Sequence, residues 1–224
     1  MCIRDRFYQT PNIYVIATAP RNQNLANEHA YHLIGGLTRY VRDDLKFTAE
    51  TYYKQFDDLI VRPDRGRPDR TNAGDGWAAG ADFSLIKRFI DRFYGQVNYS
   101  YACSRRDDRD GRGAYDSDFS QPHIFNVLAG YEFDQRYTLS AKWRYATGRP
   151  KDAYIVHADV FGDPTRLRYA QELTGNNTGR LPAFHTFNIR FDSRRQIGRI
   201  ALVSFLDVIN LYNHLNVNED RFLE

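Results

Sequence analysis

The chain alternates. Between positions 45 and 54, Leu45, Phe47, Ala49 and Tyr53 fall on one face and Lys46, Thr48, Glu50 and Lys54 on the other. The same beat of two returns at 93–103, 125–133, 137–145 and 187–191. Successive side chains point to opposite faces only in extended backbone, so each stretch predicts a β-strand. Segments of about ten alternating residues, aromatic at their ends and joined by alternately short and long connections, are what a membrane-spanning β-barrel requires.

Composition agrees once a barrel is allowed. A mean hydropathy of −0.64 would ordinarily indicate a water-soluble protein. In a barrel only half of each strand meets lipid, and the long connections are polar. The longest apolar run, at 200–206, is far short of the roughly 18 residues that a membrane-spanning helix needs. Aromatic side chains make up 15% of the chain, with Tyr 16 and Phe 15 against Trp 2, which favours rings with a polar tip at a water–lipid boundary. The net charge of +3 is small and dispersed, so nothing points to nucleic acid. Cys2 and Cys103 are far apart and suggest no disulfide framework.

The walk along the chain gives about eight strands. They are expected near 30–41, 45–59, 76–85, 93–103, 124–133, 137–147, 184–192 and 200–209, after a loop at 7–28 with one short extended piece at 13–17. Connections at 42–44, 87–92, 134–136 and 193–198 are short, whereas 62–75, 104–122 and 148–182 are long and polar. A soluble meander has no reason to sort its connections by parity; a transmembrane barrel does. The faces follow: Phe93, Val97, Tyr99, Tyr101, Leu139, Trp143 and Tyr145 outward; Gln96, Asn98, Ser100, Lys142 and Arg144 inward. With Tyr131, Phe133 and Tyr137, the outward rings Phe93, Tyr99, Tyr101, Trp143 and Tyr145 form the expected aromatic girdle.

Several passages resemble the C-terminal part of the barrel of TonB-dependent outer-membrane receptors. NQNLANE at 22–28 resembles that family's NPxLxPE entry to a strand, and TNAGDGWAAGAD at 71–82 its xNxGxxxxxGxE strand, with Asp82 in place of Glu. RYATGRP at 144–150 resembles an xYxTGxPY strand exit. LPAFHTFNIRF at 181–191 followed by FLDVINLYN at 205–213 resembles the penultimate hairpin. The resemblance implies an all-β, antiparallel, up-and-down transmembrane barrel, here an open portion of about eight strands from a barrel of about 22. Residues 7–224 would be that portion, truncated at both ends. Residues 1–6 (MCIRDR) read as a non-native scar and are left out of the expected fold. The implied function is capture and TonB-driven uptake of a scarce nutrient of the siderophore-iron, cobalamin or glycan type, in the outer membrane of a Gram-negative bacterium. Its partners would be outer-membrane lipid, a plug domain of the same chain, the TonB complex and a small ligand. The alternative is a complete eight-stranded barrel with a structural or adhesive role.

No catalytic constellation emerges: no metal-ligand spacing among the six histidines, no phosphate loop, no nucleophile elbow. Neither enzyme activity nor a cofactor is expected. Candidate ligand or lumen residues are therefore charged groups that lipid cannot accept. Lys142, Arg144 and Arg190 must face the lumen, because charge on the lipid face costs about 2–4 kcal/mol at mid-depth. Arg62, Arg65, Arg67, Arg70, Tyr154 and His157 lie in the long connections. The plain reading of all of these is that they pair with one another, with a plug, or with water.

Overall fold

The computed structural model describes residues 1–62, 68–159 and 168–217, with side chains described outside 156–159 and 168–173. The described residues contain twelve strands: β1 (Cys2–Gln9), β2 (Glu28–Arg42), β3 (Leu45–Val61), β4 (Thr71–Lys87), β5 (Phe93–Asp107), β6 (Tyr115–Asp116), β7 (His123–Glu132), β8 (Tyr137–Ala146), β9 (Pro150–Asp159), β10 (Arg168–Arg180), β11 (Phe184–Ile197) and β12 (Ile200–Val208). Among the described residues, helix is confined to one turn and a half at α1 (Ile13–Thr18) and a 3-10 turn at Pro20–Asn24. Every pairing is antiparallel, and the main sheet runs β1-β2-β3-β4-β5-β7-β8-β11-β12, with β6 added to β5. The path is open: β1 and β12 do not pair with each other, so the closed eight-stranded alternative is not what this chain adopts.

Register sorts the side chains into two faces. Leu85, Val97, Val127, Trp143 and Phe187 form one continuous cross-strand row, and Ser84, Asn98, Asn126, Arg144 and Thr186 the next. Cross-strand neighbours share a face, so the first row is the apolar exterior and the second the polar interior. Along β5, Phe93 and Tyr101 are eight residues apart on the exterior, which is about 27 Å of strand at ~3.4 Å per residue. Tilted by about 40°, that length spans about 21 Å along the membrane normal, most of an apolar band of about 25 Å.

On the interior, glycines face tyrosines. Gly80 pairs with Tyr52 and Gly130 with Tyr94. A Cβ built on Gly130 would lie 2.1 Å from the Tyr94 ring, and one on Gly80 would lie 2.5 Å from the Tyr52 hydroxyl. Each ring lies flat over the bare backbone of its partner, filling the gap that a strand glycine leaves.

Five expectations need correcting. Residues 2–9, expected outside the fold or in a loop, form β1 and pair along β2 from Cys2↔Gly35 to Gln9↔Glu28. The strand at 30–41 is therefore not a free edge. Residues 13–17, expected extended, are helical: Asn12 caps the turn by accepting from the Tyr14 N–H at 2.9 Å. The long connection at 148–182 carries the hairpin β9–β10, a separate two-stranded sheet. Finally, β11 runs on through Ile197, reducing the last turn to Gly198 and Arg199, with Gly198 at φ +60.

Candidate functional site

Both ends of the sheet follow from connection length. The short turns (43–44, 88–92, 133–136 and 198–199) lie at one end, and the connections 10–27, 62–70, 108–122 and 147–183 at the other. The second end is a mouth, and its architecture rests on a few amides. Asn22 is fully buried: its side-chain amide donates to Val15 O at 2.8 Å, Thr18 Oγ1 at 2.9 Å and Pro68 O at 3.3 Å, while its Oδ1 accepts from the Arg70 N–H at 2.8 Å. Asn72 accepts from the Ala26 N–H and donates to Ala26 O and Asp58 O at 2.8–3.0 Å. These two residues tie the 10–27 connection to the base of the next one. Both sit inside the sequence motifs at 22–28 and 71–82, but nothing in those patterns says that an amide is needed four bonds over.

A second tie closes the other side. The Arg180 guanidinium donates to Ser120 O at 2.7 Å, Gly148 O at 3.1 Å and the Asp116 carboxylate. Asn177, at φ +50, donates through its amide to Asp116 O at 2.8 Å and Asp118 Oδ1 at 2.7 Å. Hairpin β9–β10 is thereby clamped to the 108–122 connection.

Between these ties lies a cavity of about 680 Å³ lined by Glu28, Arg62, Arg70, Asp108, Tyr115 and Asp152, among others. Burial and the neighbouring Arg62 charge pull the Arg70 guanidinium below its ordinary value, and its Nη1 has no partner among the described residues. Burial also pushes the Tyr115 phenol up, helped by the hydrogen bond that it donates to Asp108 at 2.8 Å. The wall thus mixes cations and carboxylates and can accept a polar ligand with acidic and donor groups.

The sequence-predicted residues fall in three places. Arg62 and Arg70 line the mouth cavity; Arg65 and Arg67 lie outside the described residues. Tyr154 is exposed on β9, its hydroxyl 3.3 Å from Asp152 Oδ2, and for His157 only the backbone, in β9, is described. Lys142, Arg144 and Arg190 share the interior face of β8 and β11. Arg144 holds its guanidinium 5.4 Å above the Phe184 ring, beside a smaller cavity of about 150 Å³. Arg190 is engaged already, bidentate to Asp192 at 2.8–3.1 Å and 4.1 Å over the Phe205 ring. The structure therefore does not bring the two groups together: the interior cations and the mouth arginines are separate sites. Among the described residues, no three His, Cys, Asp or Glu side chains converge as a metal site.

The exterior rings fall into two bands. Tyr99, Tyr101, Trp143 and Tyr145 join Phe125, His123 and His185 towards the mouth, with Phe125 and Trp143 centroids 5.5 Å apart. Phe93, Tyr131, Phe133 and Tyr137 lie towards the turns, with Tyr131–Phe133 at 5.2 Å and Tyr137 stacked on Phe191 at 5.7 Å.

Comparison with known proteins gives the same fold. Residues 5–211 match the family described as TonB dependent receptor-like, beta-barrel. The outer membrane transporter YddB from Escherichia coli superposes with a TM-score of 0.59 at 14% identity, over 86% of this chain and 30% of that one. The pyoverdine-bound receptor FpvA of P. aeruginosa gives 0.62 at 10% identity, over 95% and 27%. The ferric-catecholate import receptor Fiu from E. coli K12 gives 0.58 at 14%, over 88% and 25%. This chain thus spans under a third of each neighbour's length. No match was found among curated protein sequences.

Proposed function

Since this chain belongs to the TonB-dependent receptor β-barrel family, of the Gram-negative outer membrane, we propose that it forms part of the wall and mouth of a nutrient transporter. The observation that carries the reading is the two-faced sheet: an apolar exterior with two aromatic bands and an interior row of Ser84, Asn98, Asn126, Arg144 and Thr186. Lipid covers the first face; a hydrated lumen with a plug domain covers the second. The mouth cavity between Arg62, Arg70, Tyr115 and Asp152 meets the ligand first, with Tyr154 and His157 on the hairpin beside it. Lys142 and Arg144 meet the ligand or the plug further down, and Arg190 braces Asp192. Energy comes from TonB acting on a plug.

The substrate class is a scarce solute of the siderophore-iron, cobalamin or glycan type; similar structures include a ferric-catecholate import receptor and a copper transporter. Uptake of a labelled panel of such solutes is the test, in cells carrying the receptor with and without functional TonB. One solute accumulating only when TonB is present, and less so in an Arg62→Ala, Arg70→Ala variant of equal abundance, supports the reading. Accumulation of none, from a receptor that is folded in the membrane, rejects it.

A further inference from the structure

Within the 108–122 connection, residues 117–120 form a tight turn, closed by the Ser120 N–H donating to Ser117 O at 2.8 Å. The turn is fixed from three directions. The Ser117 N–H donates to Ser104 O on β5 at 3.0 Å, Arg180 donates to Ser120 O at 2.7 Å, and the Asn177 amide donates to Asp118 Oδ1 at 2.7 Å. Ser117 and Ser120 are buried, yet Phe119 between them is 83% exposed, more than any other aromatic ring among the described residues. An apolar ring in water contributes little to the fold. Holding it on a pinned turn is what a preorganised contact requires, since its ordering is complete before anything binds.

Phe119 borders a cavity of about 200 Å³ that shares Glu28, Ile60, Val61, Asp108 and Tyr115 with the larger mouth cavity. The polar groups of this joint wall come in both signs. Glu28 Oε1 accepts from the Ile60 N–H and Asp108 Oδ1 from the Tyr115 hydroxyl, each at 2.8 Å, and the second oxygen of each carboxylate has no partner among the described residues. Arg62 and Arg70 on one side and Arg106 on the other only donate. A cationic solute would meet three guanidinium groups here, and an anionic one the carboxylates. A hydroxyl satisfies both, because it donates and accepts without charge. We propose that Phe119 is a stacking platform for a neutral polyhydroxylated ring, which makes the solute a glycan. The C–H face of the sugar lies on Phe119, while its hydroxyls donate to Glu28 and Asp108 and accept from the guanidinium groups. The inference rests on the transport reading above and selects one of its three solute classes. Arg180 is then a positioning residue, acting on the solute through the turn that carries Phe119.

The test is uptake by the full-length receptor, in cells with and without functional TonB, of radiolabelled neutral gluco-, galacto-, manno- and xylo-oligosaccharides. A ferric tris-catecholate, a ferric trihydroxamate and cobalamin form the parallel arms. One oligosaccharide should accumulate only when TonB is present. Phe119→Ala should raise its half-saturating concentration about fivefold, the worth of one aromatic stack, and Phe119→Trp should leave it unchanged or lower it. Both variants should give the wild-type amount of heat-modifiable barrel. Arg180→Ala should raise the half-saturating concentration in the wild-type background and add little on top of Phe119→Ala, whereas a purely structural clamp adds its full effect in both. Oligosaccharide uptake that ignores Phe119→Ala overturns the platform. TonB-dependent uptake of a ferric chelate or cobalamin, with no oligosaccharide, overturns the glycan assignment and leaves the transport reading standing. Uptake of no solute by a folded receptor rejects the transport reading, and this inference with it.

Discussion

Strands β5 and β1 belong to one sheet, β5 paired on both sides and β1 on one, yet only β5 sorts its side chains by face. In β5, Val97, Tyr99 and Tyr101 share the exterior with Leu85 and Val127, while Gln96, Asn98 and Ser100 face inward. In β1, Arg4 and Arg6 pair with Leu33 and Tyr31 and so project on the exterior, while Ile3 and Phe7 face the interior with Ile34 and Ala30. The Arg6 guanidinium lies 4.8 Å over the rings of both Tyr8 and Tyr31, which fixes its side. Hydrogen bonding between strands is indifferent to side-chain sequence; what selects a face is the solvent beyond it. The central strands carry the imprint of a bilayer and β1 does not.

The largest expected effect would break this contrast at its strong end. Arginine at Val97 or Leu139 should destabilise the folded barrel by about 2–4 kcal/mol, against a small change for arginine at the adjacent Asn98. The readout is the urea midpoint of heat-modifiable migration, and equal losses on both faces would reject the inside–outside assignment. Next comes the clamp at the mouth. Arg180→Ala removes a charge-assisted pair and two carbonyl bonds and leaves Asp116 unpaired by it, a cost of about 1–3 kcal/mol borne locally. Proteolysis within β9–β10 should accelerate while the urea midpoint of the barrel stays put; a shift of the barrel midpoint instead would mean that the hairpin is integral to the sheet. Asn22→Ala strands the Arg70 N–H and should raise amide exchange at Arg70 and Ile60, with no change at Val97. The smallest effect belongs to β1. Leucine at Arg4 and Arg6 together should move the midpoint by no more than about 0.5 kcal/mol, as for a hydrated surface. A gain of several times that would place β1 in lipid and erase the contrast.

What the sequence disclosed follows the same line. Strands β3, β4, β5, β7 and β8 were legible because lipid on one side and water on the other write a period of two into every residue. The hairpin β9–β10 was not, since Asp152, Glu172 and Asn176 interrupt any alternation. The last five residues of β11 hid because Arg194, Arg195 and Gln196 lie below the apolar band, where neither face demands carbon. At the mouth, Arg62 and Arg70 could be nominated from charge alone. The amides of Asn22 and Asn72, which tie the connections at the mouth, could not, because the bonds that do so run to backbone groups 46 residues away in sequence: Pro68 O for Asn22, and the N–H and carbonyl of Ala26 for Asn72.

The tyrosines lying over Gly80 and Gly130 leave a mark on how this chain can change over generations. A side chain at Gly130 has no room until Tyr94 leaves, and once Tyr94 has left, the bare glycine is an opening in the wall of the lumen. Each single step is downhill, while the double exchange returns to level ground. Positions on different strands are thus inherited as one character, and drift at Tyr52 or Tyr94 waits on a second change in its glycine.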